Sequence, residues 1–395
     1  MSFNFAVTTN AQFGAGKLNE LHTMLNVPGS VQGKKALIVI SNGRSTRANG
    51  YLDRLEKELE LAGVEYVVYD KVSANPTKPV VEEGGRFAKE NGCEFIVALG
   101  GGSVIDASKA IGLMATNPSD DLWDYVLFGT GKKQFPPVPS LPIVAITTTA
   151  GTGSETDGGA VITNPDTKEK TGVFGAGTMP ALAIIDPKLM ASVPAAFKAY
   201  QGFDALFHST EGFISNKRNE MNKMVASEAI RNVSGSLVEA IADPENVEAM
   251  GKVAFGSYLS GIQMCVGSCT SAHPLEHALS VSHENLPHGA GLIMISKAFY
   301  GFFVKKHVCD DRFIEMAKLM GNPDADKAED FITALSALQE ACGVEDLKMS
   351  DYGITPEEFP GMVQNARDTL GVNFLNDPVQ LSDEDCIAIY QESYR

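Results

Sequence analysis

The chain has 395 residues, 44% of them hydrophobic, and its 49 acidic and 32 basic residues give a net charge of −17. A chain of this size can bury a large core and is expected to form two domains. The acidic balance argues against nucleic-acid binding, which rests on Lys and Arg. There is no basic and apolar leader and no apolar run of about 18 residues, so we expect a soluble, cytoplasmic protein without a membrane partner.

The first half of the chain alternates between strand and helix patterns. A short strand, a Gly-Ala-Gly turn at 14–16 and a helix at 18–25 are predicted to come first. Apolar runs bounded by polar residues then predict buried parallel strands near 36–40, 65–70, 94–99, 143–147 and 183–187. Helical patterns lie between them at 51–62, 78–91 and 104–113. This alternation is typical of βαβ units, and the stretch between 147 and 183 is interpreted as turn-rich loop.

Beyond about residue 193 the helical period dominates, as at 219–242, 247–264 and 327–342. The predicted fold class is therefore α/β plus all-α. Residues 1–190 are predicted to form a Rossmann-like parallel-sheet domain, and residues 191–395 are predicted to form a helical domain.

Four residues suggest a metal site in the second half. Asp204 and His208 are four apart, which places them on one face of a helix, and His273 and His288 follow in a histidine-rich stretch. One carboxylate with three imidazoles suits Fe, Zn, Ni or Co better than Mg or Ca. The alternative is a set of ordinary hydrogen-bonded histidines, since such spacings recur by chance.

A rival metal set contains two of the six cysteines. If 265–277 were one helix, a single face of it would carry Cys265, Cys269, His273 and His277. Gaps of four residues differ from the C-x-x-C of zinc knuckles, so we interpret all six cysteines as reduced core residues.

Two small-residue stretches in the first half suit a phosphate-bearing cofactor. The strand at 94–99 runs into Gly-Gly-Gly-Ser at 100–103 and then a helix, and glycines let a backbone approach a pyrophosphate at a helix N-terminus. The pattern is not G-x-G-x-x-G, and a glycine turn alone is weak evidence. Thr-Thr-Thr-Ala-Gly-Thr-Gly-Ser-Glu at 147–155 offers further donors with little bulk.

Together these stretches resemble the iron-dependent (group III) alcohol dehydrogenases over nearly the whole chain. The matching segments are Gly-Gly-Gly-Ser-Val-Ile-Asp-Ala-Ser-Lys (100–109), Thr-Thr-Ala-Gly-Thr-Gly-Ser-Glu (148–155), Ala-Ile-Ile-Asp-Pro (183–187), Gly-Phe-Asp-Ala-Leu-Phe-His-Ser-Thr-Glu (202–211) and Leu-Pro-His-Gly (286–289). The resemblance implies that residues 1–190 form a dinucleotide-binding domain and that residues 191–395 form a helical, catalytic domain that holds a divalent metal.

The resemblance also implies roles for individual residues. Asp204, His208, His273 and His288 match the family's metal ligands, and His277 matches a catalytic histidine beside the nicotinamide. The segment after His277 is one residue longer than in some members, which leaves His283 as an alternative fourth ligand. The positions that match cofactor contacts are Asn75, Gly101, Gly102, Ser103, Asp106, Thr148, Thr149, Thr152 and Lys170.

The end of the strand at 36–40 bears on the choice of cofactor. NAD-preferring members often carry an acidic residue there, whereas this chain has Ser41, followed by Arg44, Ser45 and Arg47. Without a carboxylate, a 2′-phosphate is not repelled and can be bound by these side chains. We therefore favour NADP(H) over NAD(H), with a solvated basic loop as the alternative interpretation.

The expected activity is reversible hydride transfer between NAD(P)(H) and a small aldehyde or primary alcohol held at Fe²⁺, with Zn²⁺ as an alternative metal. His277 is the expected proton relay. Other hypotheses are a zinc-dependent polyol (glycerol-type) dehydrogenase and a dehydroquinate-synthase-like lyase. The lyase needs a basic cluster, and we find none near 204–288 beyond Lys217 and Arg218. A binding protein without activity is a further alternative. The family implies a homodimer or larger homo-oligomer.

Overall fold

The computed structural model describes residues 3–395, so the first two residues of the predicted α/β domain lie outside it. The described chain divides into two compact units. The α/β unit comprises Ala6–Thr149 and Gly153–Ser192, and the helical unit contains Ala150–Thr152 and Val193–Arg395.

The α/β unit is built on a six-stranded parallel sheet with the order β1-β8-β5-β4-β2-β3. Its strands are β1 (Asn10–Phe13), β2 (Lys35–Ser41), β3 (Glu65–Val72), β4 (Phe95–Gly100), β5 (Ile143–Thr147) and β8 (Leu182–Ile185). The helices of this unit are α1 (Ser45–Ala48), α2 (Tyr51–Leu61), α3 (Lys78–Glu90) and α4 (Gly102–Thr116). The predicted first helix is instead a 3-10 helix, Lys17–Thr23.

Both faces of this sheet are buried at the inner strands, which explains why β2, β4, β5 and β8 have continuous apolar sequences. Along β2, Leu37 and Val39 belong to one apolar cluster together with residues of α3 and α4. The alternate residues Ala36, Ile38 and Ile40 belong to a second cluster, which includes residues of α2. The core of this unit therefore lies in two layers, one on each side of the sheet.

The turn-rich interpretation of 147–183 was wrong in part. An antiparallel hairpin lies within it, formed by β6 (Gly159–Asn164) and β7 (Glu169–Phe174). A sequence signal was present, because Asn-Pro-Asp-Thr at 164–167 is a typical turn between two strands.

The helical unit contains nine α-helices among the described residues. They are α5 (Ala195–Ile214), α6 (Glu220–Ala242), α7 (Val247–Gly267), α8 (Ala272–Ser282), α9 (His288–Lys305), α10 (Asp310–Leu319), α11 (Glu329–Ala341), α12 (Phe359–Leu370) and α13 (Asp383–Ser393). Polar caps define several starts: Asn219 accepts a hydrogen bond from the Asn222 amide, and Ser382 forms a capping box with Asp385. None of the helices in residues 3–395 is long and apolar enough to cross a membrane.

Candidate metal site and cofactor turn

Helix α5 carries a stripe of acidic and imidazole side chains. Asp204, His208 and Glu211 are spaced four and three residues apart and therefore share a face. All three are buried, with at most 6% exposure. The backbone of Gly151, in the segment 150–152 of the same unit, also lies beside the His208 ring.

The structure brings the four predicted metal ligands together around one oxygen atom. Asp204 Oδ1 lies 3.6 Å from His208 Nδ1, 3.5 Å from His273 Nε2 and 3.5 Å from His288 Nε2. These distances exceed ordinary hydrogen bonds. Among the described residues, Asp204 Oδ1, His208 Nδ1 and His273 Nε2 are buried and have no hydrogen-bond partner.

That spacing is suited to a shared cation. Ligands about 2.1 Å from a tetrahedral ion lie about 3.4 Å from one another, which agrees with the three distances from Asp204 Oδ1 to the histidine nitrogens. Buried polar atoms without partners are costly, and a coordinated ion would satisfy all of them at once. The residues present therefore fit a divalent transition metal.

Two further carboxylates, which the sequence interpretation did not identify, bind the outer nitrogens of two of these histidines. Glu211 accepts hydrogen bonds from His273 Nδ1 and from the backbone and hydroxyl of Thr270, the latter two at 2.9 and 2.8 Å. Glu276 binds His288 Nδ1. Helical spacing could have revealed both, because each glutamate lies three residues after a predicted ligand, His208 or His273.

The protonation of the cluster follows from burial and from these charges. Burial would raise the pKa of Asp204, but the neighbouring imidazoles, His208 foremost, hold it well below its usual range. Burial lowers the pKa of His208 to about 3, so this ring is neutral and able to act as a ligand. Burial also opposes the charged form of His273, but Glu211 and the other neighbouring acidic groups raise its pKa well above the usual value.

The remaining two histidines of the stretch have different surroundings. His277 is buried on α8, and its ring centroid lies 5.3 Å from that of His288 and 6.4 Å from that of His273. His283 lies at the end of α8, where its ring nitrogens contact the carbonyl of Tyr352 at 3.2 Å and the carboxylate of Glu358 at 3.0 Å. The structure therefore places His288, rather than the alternative His283, beside Asp204.

The rival arrangement on a single helix was wrong. Helix α7 ends at Gly267 and α8 begins at Ala272, so Cys265 and His273 lie on different helices. Cys269 lies in the connection, where its sulfur and ring nitrogens of His208 and His273 fall within 4.8 Å of one another. All six cysteines are free thiols.

The predicted cofactor turn lies at the carboxyl ends of two adjacent strands. β4 ends at Gly100, which is in register with Thr147 at the end of β5, and the Thr148 amide donates to the Gly100 carbonyl at 3.0 Å. A Cβ on Gly101 would lie 2.8 Å from the Thr149 side chain, so this close approach requires glycine. Gly102 and Ser103 begin α4. The carboxyl edge of a parallel sheet is where such folds bind ligands.

Asp106 has a structural role that the sequence did not reveal. Its two carboxylate oxygens accept hydrogen bonds from the Ser154 hydroxyl at 2.5 Å and the Val161 amide at 2.9 Å. Beside it, the fully buried Lys109 donates to Ser154 at 2.7 Å and to Asp157 at 3.1 Å. This network fixes the segment from 154 to 161 against α4.

Two further cofactor candidates, Asn75 and Lys170, lie on the loop after β3 and on the β6–β7 hairpin. Asn75 follows β3 with a left-handed φ of 52°, and Lys170 is a buried residue of β7 paired with Thr163. Thr163 also donates its amide to the carbonyl of Pro76 at 2.9 Å. The structure thus links the segments of Asn75 and Lys170. Thr152, another candidate, belongs to the segment 150–152 of the helical unit.

The basic segment after β2 is partly neutralised. Ser41 is the last residue of β2 and Ser45 the first of α1. Arg47 forms an ion pair with Asp70 of β3 at 2.8 Å, and both side chains are 51% exposed. Arg44 is exposed. Asp70 therefore offsets part of the positive charge of this segment, although it is distant from Arg47 in the sequence.

Comparison with known proteins identifies the family. Residues 8–187 match the model for iron-containing alcohol dehydrogenase, and residues 198–394 match the C-terminal model of the Fe-containing alcohol dehydrogenase family. The chain is 31% identical to 1,3-propanediol dehydrogenase of Klebsiella pneumoniae over 369 residues, which cover 92% of each chain. It is 30% identical to the NAD-dependent methanol dehydrogenase of Bacillus methanolicus over 377 residues, covering 92% of this chain and 93% of that one.

A solved structure shares the whole fold. The archaeal halo-thermophilic alcohol dehydrogenase ADH/D1 from a Red Sea brine pool superimposes with a TM-score of 0.90 at 28% identity, covering 100% of this chain and 99% of that one. The predicted fold class and the predicted family are therefore confirmed. The chain belongs to the iron-containing alcohol dehydrogenase family and is an oxidoreductase of the alcohol dehydrogenase type.

Proposed function

We propose that this protein is a metal-dependent alcohol dehydrogenase or aldehyde reductase. It transfers hydride between NAD(P)(H) and a small primary alcohol or aldehyde. The observation that carries the proposal is the buried Asp204 oxygen, which lies 3.5–3.6 Å from nitrogens of three histidines without hydrogen-bonding to them. The names of the methanol and 1,3-propanediol relatives support a short primary alcohol.

Asp204, His208, His273 and His288 would hold the metal, for which Fe²⁺ is our first choice and Zn²⁺ the alternative. When bound, the metal supplies Lewis-acid stabilisation of negative charge on the substrate oxygen. Four protein donors exceed the three of ordinary catalytic zinc sites, which favours iron. Coordination requires an ionised Asp204 and neutral imidazoles, and the lowered pKa values of Asp204 and His208 meet this requirement. The raised pKa of His273 means that this ring would lose a proton when the metal binds.

His277 is the proposed proton relay. It is buried on the same helix as His273, and its ring lies beside that of His288. In the reductive direction its ring would deliver a proton to the substrate oxygen, and in the oxidative direction it would accept that proton. Replacing His277 by Ala should leave the metal content unchanged and reduce turnover by about 10²–10⁴-fold.

The cofactor would bind at the carboxyl edge of the sheet. Backbone amides of Gly101, Gly102 and Ser103 at the start of α4 suit a pyrophosphate, and Thr148 and Thr149 are adjacent donors. We retain NADP(H) as the preferred cofactor because Ser41 is uncharged. The relatives argue the other way, since one is named as NAD-dependent.

We also propose a homodimer or larger assembly, which light scattering would test.

The test is metal analysis of anaerobically purified protein, combined with NADPH and NADH oxidation over a panel of short aldehydes. Iron near one atom per chain with aldehyde-dependent turnover would support the proposal. Zinc with polyol oxidation would favour the glycerol-type alternative. Absence of both metal and turnover, after addition of Fe²⁺ as well, would refute it.

A further inference from the structure

Two buried glutamates lie directly behind the candidate metal ligands. Glu211 on α5 and Glu276 on α8 both have 0% exposure. Each binds the Nδ1 atom of one histidine, Glu211 that of His273 and Glu276 that of His288. In both cases the opposite nitrogen, Nε2, lies 3.5 Å from Asp204 Oδ1.

We propose that Glu211 and Glu276 are positioning residues that set the ring orientation and tautomer of His273 and His288 and thereby raise the affinity of the site for a divalent metal. The inference rests on the proposed metal-dependent function. A carboxylate that accepts a hydrogen bond from Nδ1–H favours the tautomer whose Nε2 lone pair is available to the metal, and it makes the imidazole a stronger ligand.

The electrostatics of the cluster support this assignment. Asp204, Glu211 and Glu276 place three carboxylates in a buried region, which is unfavourable unless a cation offsets their charge. A divalent ion bound by the Nε2 atoms would be stabilised by all three carboxylates, although only Asp204 would contact it.

The packing provides room for Glu276 in particular. A Cβ on Gly291 of α9 would lie 2.8 Å from Glu276 Cγ and 3.0 Å from its Oε1 atom. The glycine therefore leaves space in which the glutamate reaches His288. Glu211, by contrast, also accepts two hydrogen bonds from Thr270, so changing it would disturb the α7–α8 connection as well. Glu276 is therefore the sharper site for a test.

The experiment compares Glu276→Gln with Glu284→Gln, an exposed glutamate between α8 and α9 that serves as the control. Full-length protein is stripped of metal, its melting temperature is measured, and Zn²⁺ is titrated against a competing chelator. Glutamine keeps the shape, and its amide oxygen can still accept a hydrogen bond from Nδ1–H, but it lacks the charge. We expect Glu276→Gln to raise the Kd for Zn²⁺ about 10–100-fold while the metal-free melting temperature stays at the wild-type value. Glu284→Gln should change neither quantity.

A second variant, Gly291→Ala, displaces the Glu276 carboxylate without removing its charge and should weaken Zn²⁺ binding in the same direction. A wild-type Kd in a Glu276→Gln protein that folds normally would overturn the inference. Loss of metal-free stability in both variants would also overturn it, since the glutamate would then be a structural residue. If wild-type protein itself binds no Zn²⁺ or Fe²⁺, the proposed function fails, and the two failures are thus distinguished.

Discussion

The glycine of Leu-Pro-His-Gly gives a prediction about how the site is assembled. A Cβ on Gly289 would lie 2.2 Å from the carbonyl oxygen of Tyr200 in α5, whereas ordinary contacts begin near 3.4 Å. Gly289→Ala must therefore move the start of α9 away from α5 by about 1 Å, and overpacking of this kind costs about 1–3 kcal/mol. We expect the upper end, because a backbone carbonyl cannot rotate away as a side chain can.

Gly301 of the same helix is the matched control, since nothing lies within 4 Å of its Cβ position. Gly301→Ala should stabilise the protein by up to about 1 kcal/mol through helix propensity alone. Urea unfolding of the metal-free variants, followed by circular dichroism, measures the change in the free energy of unfolding for each substitution. Hydrogen exchange of the α9 peptide then assigns the effect to the helical unit. Equal stability of the two variants would refute the reasoning. Because His288 directly precedes Gly289, the shift should also weaken metal binding.

Three further predictions concern the metal, the pH dependence and the cofactor. Asp204→Asn removes the one charged ligand, so the stabilisation by metal seen in thermal melts should be lost. For wild type this stabilisation is about 4 kcal/mol at a metal concentration 1,000 times Kd. A metal-induced shift in melting temperature equal to that of wild type would exclude Asp204 as a ligand. Burial raises the pKa of Glu155 from 4.5 to about 7, so the folded state binds its proton more tightly than the unfolded state does, and stability falls as the pH rises through this range. Glu155→Gln should remove this pH dependence, so its free energy of unfolding, measured in urea, should rise relative to wild type by up to about 3 kcal/mol between pH 4.5 and pH 8. An unchanged dependence of stability on pH would contradict the burial argument. Ser41→Asp should reduce kcat/KM with NADPH relative to NADH at least about tenfold, since like charges about 4 Å apart near a surface repel by about 4 kcal/mol; an unchanged ratio would show that the 2′-phosphate binds elsewhere.

Local patterns in the sequence were sufficient for the regular elements of both units. The strand predicted at 143–147 is β5 without change, and the helix predicted at 219–242 is α6 with one residue less. Such segments could be predicted because burial on both faces, or a polar cap followed by a helical period, leaves a clear signal in consecutive residues. The β6–β7 hairpin was missed because its strands mix apolar with polar and glycine residues and therefore lack a continuous apolar run.

The four candidate ligands could be proposed from residue type, helical spacing and family resemblance, but only the tertiary structure brought Asp204 within 3.6 Å of all three histidines. Likewise, only the tertiary structure showed that Glu211 contacts His273, that Glu276 contacts His288, and that Arg47 forms an ion pair with Asp70. Sequence determines which residues share a face of one helix or strand, because that depends on local geometry with a fixed period. Contacts between elements depend on how helices pack, and close approaches such as those at Gly289 and Gly291 decide this packing at positions far apart in the chain.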